Sequence, residues 1–253
     1  TGAFHVVFQP IYELRTGRLL GVEALTRVDL TPYRPPDAWF AAARATGRAV
    51  ELELAAIARA VEEARALPEG VDLAVNISPV TLADPGLVAL LAKAGRPVTI
   101  EITEHTGIED YESVADQVEE LRRRGVRIAV DDAGAGIASL RHIVQLAPHV
   151  IKLDISLTQG VASSPLRRAL AGSLIEFAQQ TGAELLVEGI EDTEDLVTWT
   201  TLGAHAAQGY LVGRPSPLPV PQVSATIRRT AGAVLPRGAA LGGRTGRSRP
   251  PVG

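Results

Sequence analysis

Polar side chains stand at or near the end of most apolar runs that the sequence predicts to be β-strands. They comprise five carboxylates, two amides and one amine: Glu23, Glu101, Asp131, Asp132, Glu188, Asn76, Gln208 and Lys152. Carboxylate and amide oxygens are hard ligands that suit Mg²⁺, Mn²⁺ or Ca²⁺, and the sequence has no cysteine to favour zinc. Acids brought together without a cation would repel one another. The pattern therefore predicts bound divalent cations wherever these strand ends meet.

The adjacent pair Asp131 and Asp132 leads to a more specific expectation. At a strand end, one carboxylate can bind a first metal ion while its neighbour reaches a second, and two such ions clamp the attacking and leaving oxygens of phosphoryl displacement. Any one of these acids taken alone is more typical of a helix cap or a solvated turn. Lys152 either forms a structural ion pair with the acids or orients the attacking water or a phosphate oxygen, and the two roles are compatible.

Short strand-like runs alternate with longer amphipathic stretches along the chain, which predicts an α/β fold. The strand-like runs are residues 4–8, 19–25, 71–76, 98–101, 127–131, 150–153, 184–188 and 206–211. The Thr16-Gly17 step in residues 12–17 is typical of a turn, so the first two runs should form an antiparallel hairpin. Helical patterns between the later runs predict mostly parallel strands, in an open doubly wound sheet or a closed barrel.

Two observations favour a (β/α)8 barrel over the open sheet. Eight strands are predicted, and no glycine-rich phosphate-binding loop follows the first of them. In such a barrel the carboxyl ends of the parallel strands converge on one mouth, where barrel enzymes carry out their chemistry. The polar strand ends would then form one site.

Composition and charge predict one domain and a tail. Of 253 residues, 46% are hydrophobic and 21% are charged, as in ordinary globular proteins. The net charge is −4, but residues 221–253 hold six arginines and no acid, which leaves −10 on residues 1–220. We predict a barrel over residues 1–220, then an Arg-, Gly-, Pro- and Ala-rich tail with a short helix near 220–229 and disorder from about Ala231. So acidic a barrel is poorly suited to binding long nucleic acid.

Several classes are excluded or disfavoured by what the sequence lacks. Without cysteine there is no disulfide scaffold and no thiol nucleophile. No apolar run approaches the ~20 residues of a transmembrane helix, so we expect a soluble, cytoplasmic domain whose parent protein could still be membrane-anchored. The sequence contains no methionine, even at position 1, so we expect either an excised domain or a truncated chain.

Glu23-Ala24-Leu25, followed by Thr26-Arg27, resembles the signature of the EAL domain, a family that hydrolyses the bacterial second messenger cyclic di-GMP to linear pGpG. Further matching segments occur in family order between about residues 4 and 217: Phe8-Gln9-Pro10-Ile11, Val75-Asn76-Ile77-Ser78-Pro79, Glu101-Ile102-Thr103-Glu104, Val130-Asp131-Asp132, Ile151-Lys152-Leu153-Asp154, Val187-Glu188-Gly189-Ile190-Glu191 and Gln208-Gly209-Tyr210-Leu211. The resemblance implies a modified TIM-type barrel whose first strand runs antiparallel, which agrees with the predicted hairpin.

The resemblance also implies a role for each matching residue. The ligands of one metal ion would be Glu23, Asn76, Glu101 and Asp131, with Asp132 binding a second ion and Glu188 contacting metal and nucleophilic water. Lys152 would orient that water, and Gln208 would lie near the water and the substrate. The implied substrate contacts are Gln9, Leu25, Arg27 and Gln208. Glu104 would anchor the loop that follows Asp132. The implied cofactor is a pair of Mg²⁺ or Mn²⁺ ions, and the implied partners are cyclic di-GMP, a second copy of the chain, and a fused sensor or GGDEF domain outside it.

One segment departs from the family pattern and leaves a second function open. Where the family commonly has Asp-Asp-Phe-Gly-Thr-Gly-Tyr-Ser-Ser, this chain reads Asp131-Asp132-Ala133-Gly134-Ala135-Gly136-Ile137-Ala138-Ser139. In the family this loop couples the metal site to dimerisation. Our leading hypothesis is a metal-dependent cyclic di-GMP phosphodiesterase. The alternatives are a catalytically silent cyclic di-GMP receptor, suggested by altered residues 133–138, and a protein-interaction domain that binds no nucleotide.

Overall fold

A computed structural model describes residues 3–102, 111–134 and 138–235, and within them eight strands close into a barrel in chain order. The strands are β1 (Phe4–Glu13), β2 (Leu19–Val28), β3 (Asp72–Ile77), β4 (Val98–Ile102), β5 (Arg127–Ala133), β6 (Val150–Leu153), β7 (Glu184–Val187) and β8 (Ala206–Ala207). The predicted barrel is confirmed. Side chains from every strand can therefore reach one enclosed interior.

Helices surround the barrel. They are α1 (Pro36–Ala45), α2 (Ala49–Glu63), α3 (Pro79–Leu82), α4 (Pro85–Leu91), α5 (Tyr111–Arg123), α6 (Ala138–Leu146), α7 (Ile155–Thr158), α8 (Pro165–Thr181), α9 (Thr193–Leu202) and α10 (Ala225–Val234). Helix α8 is a clear case of local sequence control. Ser164 caps its first turn by accepting from Arg167 N at 3.3 Å, Pro165 occupies the first helical position, and Gly182 ends the helix with a left-handed φ of 75°.

The first strand runs antiparallel to both of its neighbours, as the predicted hairpin requires. Strand β1 pairs with β2 and, at its far end, with β8, whereas the remaining neighbours are parallel. The predicted turn began at Tyr12, but Tyr12 and Glu13 are still in β1. They pair with Ala207 and Ala206, because the barrel closes only if β1 extends far enough to reach the short β8.

The segment after the last strand lies against the hairpin turn. Leu19 N donates to Gln222 O and Ser224 N donates to Gly17 O, both at 2.8 Å. Gly17 has a φ of 71°, and a Cβ there would lie 2.8 Å from the Ser224 carbonyl, so this turn admits only glycine without rearrangement.

Helix α10 is longer than the sequence predicts. It continues to Val234, past the predicted end at Arg229 and past Ala231, where disorder was predicted to begin. Packing explains the difference, because Ile227 is fully buried and Ala231 one turn later is 5% exposed. Residues 236–253 lie outside the described residues. Among the described residues, no helix has both the length and the apolar composition needed to cross a bilayer.

Candidate active site

The alternation of side chains along the strands decides which residues enter the barrel. In β4, Val98, Ile100 and Ile102 belong to the apolar core beneath the helices, whereas Thr99 and Glu101 line the interior. Other strands repeat this arrangement, with a small or apolar residue in a lower layer and a polar residue two positions later: Ala74 and Asn76, Ala129 and Asp131, and Leu186 and Glu188. The polar residues therefore form a layer at the mouth.

Lys152 on β6 brings the acids of that layer together. Its Nζ lies 2.7 Å from Glu101 Oε2, 2.8 Å from Glu188 Oε1 and 2.9 Å from Asp131 Oδ1, and Glu23 Oε2 is 3.6 Å away. The Lys152 side chain is only 2% exposed. Four carboxylates from four strands thus share one buried ammonium.

The four acids hold more negative charge than one lysine balances. Burial, reinforced by the charges of Asp131 and Glu23, raises the pKa of Glu188 to about 8 despite the nearby ammonium. Burial and the same two charges also hold the pKa of Glu101 well above its ordinary value. Although burial opposes it, the surrounding carboxylates raise the pKa of Lys152 well above its usual range. The layer favours additional positive charge.

Asp132 joins the acids through an unusual backbone conformation. Its φ of 53° lies in the left-handed region, which aspartate tolerates better than most residues. Asp131, Asp132 and Glu188 each offer a carboxylate oxygen, and these oxygens lie within 4.8 Å of one another. Oxygen-only donors with surplus negative charge fit a hard divalent cation such as Mg²⁺ or Mn²⁺.

Amide side chains fix the carboxylate of Glu23. Asn76 Nδ2 donates to Glu23 Oε1 at 2.9 Å, and Gln208 Nε2 donates to Glu23 Oε2 at 2.6 Å. Although burial opposes ionisation, Lys152 and these two hydrogen bonds hold the pKa of Glu23 below its ordinary value. Gln208 Nε2 also donates to Gln9 Oε1 at 3.0 Å.

A cavity of about 760 Å³ opens beside this layer. It is bounded by the end of β2, by α1 and α2 and by the ends of β3 and β5, and Leu25, Arg27, Asn76, Asp131 and Asp132 line it. Two of the predicted substrate contacts, on β2, therefore share a cavity with three of the predicted metal ligands. The cavity is large enough for a nucleotide-sized ligand, since small-molecule sites typically occupy ~300–1,000 Å³.

Residues 1–215 match the sequence profile of the EAL domain. The chain belongs to the EAL domain family. Among its relatives is the cyclic di-GMP phosphodiesterase PA2567 of Pseudomonas aeruginosa, which is 31% identical over 231 residues, covering 84% of this chain and 38% of the relative. The cyclic di-GMP phosphodiesterase RocR of the same organism is 32% identical over 238 residues, covering 85% of this chain and 58% of RocR. The EAL domain described here thus spans well under two thirds of either relative.

Solved structures share the fold. Klebsiella pneumoniae BlrP1, in a complex with calcium and cyclic di-GMP, has a TM-score of 0.76 at 29% identity, covering 87% of this chain and 58% of BlrP1. The PaMucR phosphodiesterase in complex with cyclic di-GMP has a TM-score of 0.75 at 26% identity, covering 85% of this chain and 92% of the other. The chain therefore shares its fold with these EAL structures.

Two predictions from the sequence concern residues that the structure does not describe. Glu104, the predicted loop anchor, lies outside the described residues, as do residues 135–137 of the altered loop. Gln9, predicted as a substrate contact, has its amide hydrogen bonded within the protein: Nε2 donates to Gly213 O at 3.2 Å, and Oε1 accepts from Gln208.

Glu53 is a buried acid beside the cavity that was not among the residues predicted from the sequence. It lies on α2, is 5% exposed and lines the large cavity of the EAL domain. Its Oε2 accepts from Ser78 N at 2.9 Å and from Ser78 Oγ at 2.8 Å. Ser78 lies two residues after Asn76. A signal was present, because Glu53 falls on the apolar face of α2 at helical spacing with the buried residues Ala49 and Ile57.

Proposed function

We propose that this EAL domain hydrolyses cyclic di-GMP to linear pGpG with the help of two Mg²⁺ or Mn²⁺ ions. The observation that carries the proposal is the layer of buried acids around Lys152, which has surplus negative charge and adjoins a nucleotide-sized cavity. The names of the relatives PA2567 and RocR support cyclic di-GMP as the substrate. The calcium and cyclic di-GMP complex of BlrP1 supports a divalent cation at the site.

The residues that would hold the cations are the oxygen donors of the mouth: Glu23, Asn76, Glu101, Asp131, Asp132 and Glu188. When bound, the cations supply the charge that activates a water, keeps the neighbouring carboxylates ionised and neutralises developing negative charge on the phosphate. The all-oxygen donor set and the raised pKa values of Glu101 and Glu188 are what favour such ions here.

The chain's own residues bind and orient the reactants. Arg27, at the wall of the cavity, binds a phosphate of cyclic di-GMP, and Leu25 packs against the nucleotide. Glu188 holds the attacking water and takes its proton. The water oxygen adds to phosphorus, the bond from phosphorus to one ribose 3′ oxygen breaks, and that oxygen takes up a proton from solvent to become a 3′-hydroxyl. Lys152 stabilises the charge that develops in this step, as an ammonium that is already in place before the reaction.

Turnover by the purified chain tests the proposal. With Mg²⁺ or Mn²⁺ it should convert cyclic di-GMP to pGpG, a reaction that chromatography monitors. A chelator should stop the reaction. Glu188→Gln should abolish turnover, whereas the matched control Glu184→Gln, at the other end of β7 with its side chain 40% exposed, should retain it. Robust turnover by Glu188→Gln would contradict the role of Glu188.

The catalytically silent receptor remains the second candidate because of the altered segment after Asp132, where the chain has Ala133 in place of the aromatic residue that the family commonly has. Calorimetry distinguishes the silent receptor from the phosphodiesterase. Tight binding of cyclic di-GMP without any pGpG after long incubation would favour the receptor, and absence of binding would exclude both functions. Oligomeric state and any fused domain are further expectations, which size-exclusion chromatography and the sequence of the full-length protein test.

A further inference from the structure

Gln9 and Gln208 form a hydrogen-bonded chain whose direction is fixed at both ends. At one end, Gln9 lies 3.2 Å from Gly213 O, a backbone carbonyl that can only accept, so the atom of Gln9 that faces it is the nitrogen. The other atom, Oε1, therefore faces Gln208 as an acceptor. At the far end, Gln208 lies 2.6 Å from Glu23 Oε2, and the ionised carboxylate also accepts only.

Both neighbours therefore require the nitrogen of Gln208, which donates to Glu23 and to Gln9 at the same time. The amide of Gln208 can then have only one orientation, with Oε1 turned away from both. That oxygen is buried, in a residue that is 4% exposed, and no donor among the described residues contacts it. A buried acceptor without a donor is unfavourable, so Oε1 is free to accept one hydrogen bond from a bound molecule.

The contacts of Gln208 place its amide group in the layer of acids. Its Nε2 lies 2.6 Å from Glu23 Oε2, and Oε1 belongs to the same amide, so a donor that reaches Oε1 lies in or beside that layer. Ala207 and Val187 are paired across β8 and β7, so Gln208 and Glu188 follow at the same level of the mouth.

The Gly213 carbonyl, which accepts from Gln9, is held in place by its surroundings. A Cβ on Gly213 would lie 2.3 Å from Pro10 Cγ, so only glycine lets this turn approach β1 so closely. Phe8 and Ser216 exchange two backbone hydrogen bonds of 2.8 and 3.0 Å just beyond the turn. The acceptor that orients Gln9 therefore does not depend on a mobile side chain.

We propose that Gln9 is a positioning residue, which acts through Gln208 by holding its Oε1 ready to accept a hydrogen from the attacking water. This differs from the direct substrate contact that the family resemblance implies for Gln9. The inference rests on the proposed phosphodiesterase function, because it concerns the water of that reaction. It predicts that changes at Gln9 affect the rate of the chemical step and leave substrate binding nearly intact.

Gln9→Met tests the proposal, because methionine keeps about the same volume but neither donates to Gly213 nor accepts from Gln208. Steady-state kinetics with cyclic di-GMP should show kcat about tenfold lower, the effect of losing one oriented hydrogen bond, with KM changed less than about twofold. Gln179→Met, an exposed glutamine on α8, is the matched control and should behave as wild type. A direct contact with the substrate predicts the reverse, with KM raised and kcat kept, and that result would overturn the proposal.

A double-mutant cycle with Gln208→Met gives an independent readout. If Gln9 acts through Gln208, kcat of the double variant equals that of Gln208→Met alone. If the fold-losses of kcat in the two single variants multiply in the double variant, Gln9 acts independently of Gln208, which contradicts the proposal.

Gln9→Glu covers the case in which Gln9→Met does not fold. A glutamate still accepts from Gln208 and, when protonated, still donates to Gly213, so kcat should stay within about threefold of wild type. A tenfold loss of kcat in folded Gln9→Glu, checked by thermal melting, would overturn the proposal. If wild type itself produces no pGpG, the proposed function fails; if wild type is active and only KM responds at Gln9, this inference fails alone.

Discussion

Lys152→Met tests whether positive charge holds the acidic layer together. Methionine keeps most of the buried aliphatic chain but removes the ammonium that contacts three carboxylates at 2.7 to 2.9 Å. Removing one partner of a buried ion pair typically costs ~3–5 kcal/mol of stability. The carboxyls of Glu101 and Glu188 already have raised pKa values and can take up protons, so we expect a loss near the lower limit, about 3 kcal/mol, at pH 6.

The loss of stability in Lys152→Met should increase with pH because of Glu23. With Lys152 present, the pKa of Glu23 lies below its ordinary value, but without the ammonium its burial dominates and raises the pKa. A carboxyl whose pKa is higher in the folded than in the unfolded state contributes stability below the unfolded pKa and loses it as pH rises through the folded one. From about pH 5 to pH 8 the variant should therefore lose more stability than wild type does.

Urea unfolding followed by circular dichroism, in the presence of EDTA, measures these differences. The matched control is Lys93→Met, which removes the only other lysine of the sequence from an exposed position and should leave the free energy of unfolding within about 0.5 kcal/mol of wild type. Adding Mn²⁺ should stabilise Lys152→Met more than wild type, because the cation replaces the missing charge. Equal stability of the two methionine variants at pH 8 in EDTA would refute the reasoning.

Two further predictions concern the end of the barrel opposite the mouth. Burial raises the pKa of Tyr12 to about 12, and its hydroxyl donates to Pro221 O at 2.8 Å. The folded state therefore keeps this proton to higher pH than the unfolded chain does, so the free energy of unfolding should fall between about pH 10 and pH 12. Absorbance at alkaline pH should show one late-titrating tyrosine, and Tyr12→Phe should remove it. Ile227→Ala should lower the free energy of unfolding by ~2–5 kcal/mol, because it leaves a cavity beneath α10, whereas Val223→Ala, at a side chain 42% exposed, should cost less than about 1 kcal/mol. Equal effects of these two substitutions would mean that α10 does not pack as described.

The architecture and the acidic layer could be predicted because both depend on short-range patterns. Inward and outward positions alternate along a strand, so a polar residue that interrupts an apolar run is visible in the sequence as a candidate for the interior. Glu101 between Ile100 and Ile102 is such a case, and so is Lys152 between Ile151 and Leu153. Parallel pairing then brings these positions to the same level without any further information.

The remaining features depend on partners that are far apart in the sequence. The helical spacing of Glu53 predicts that it is buried, but not its partner, because the two donors come from Ser78, 25 residues later. The orientation of Gln9 depends on Gly213, which is 204 residues away. The extension of α10 past Ala231 follows from packing against α9, more than 20 residues earlier in the sequence.

The reversed first strand also determines where a neighbouring domain would attach. In an all-parallel barrel the amino terminus enters at the face opposite the chemistry, but here Phe4 pairs with Val28 at the mouth end of β2, one residue after Arg27. Asp29 N, donating to Ala3 O at 3.0 Å, continues this pairing to the start of the described chain. A segment fused before residue 1 would thus join the chain beside β2, the strand that borders the large cavity. A signal arriving from the amino-terminal side would therefore reach the wall of that cavity directly, through the hydrogen bonds that join β1 to β2.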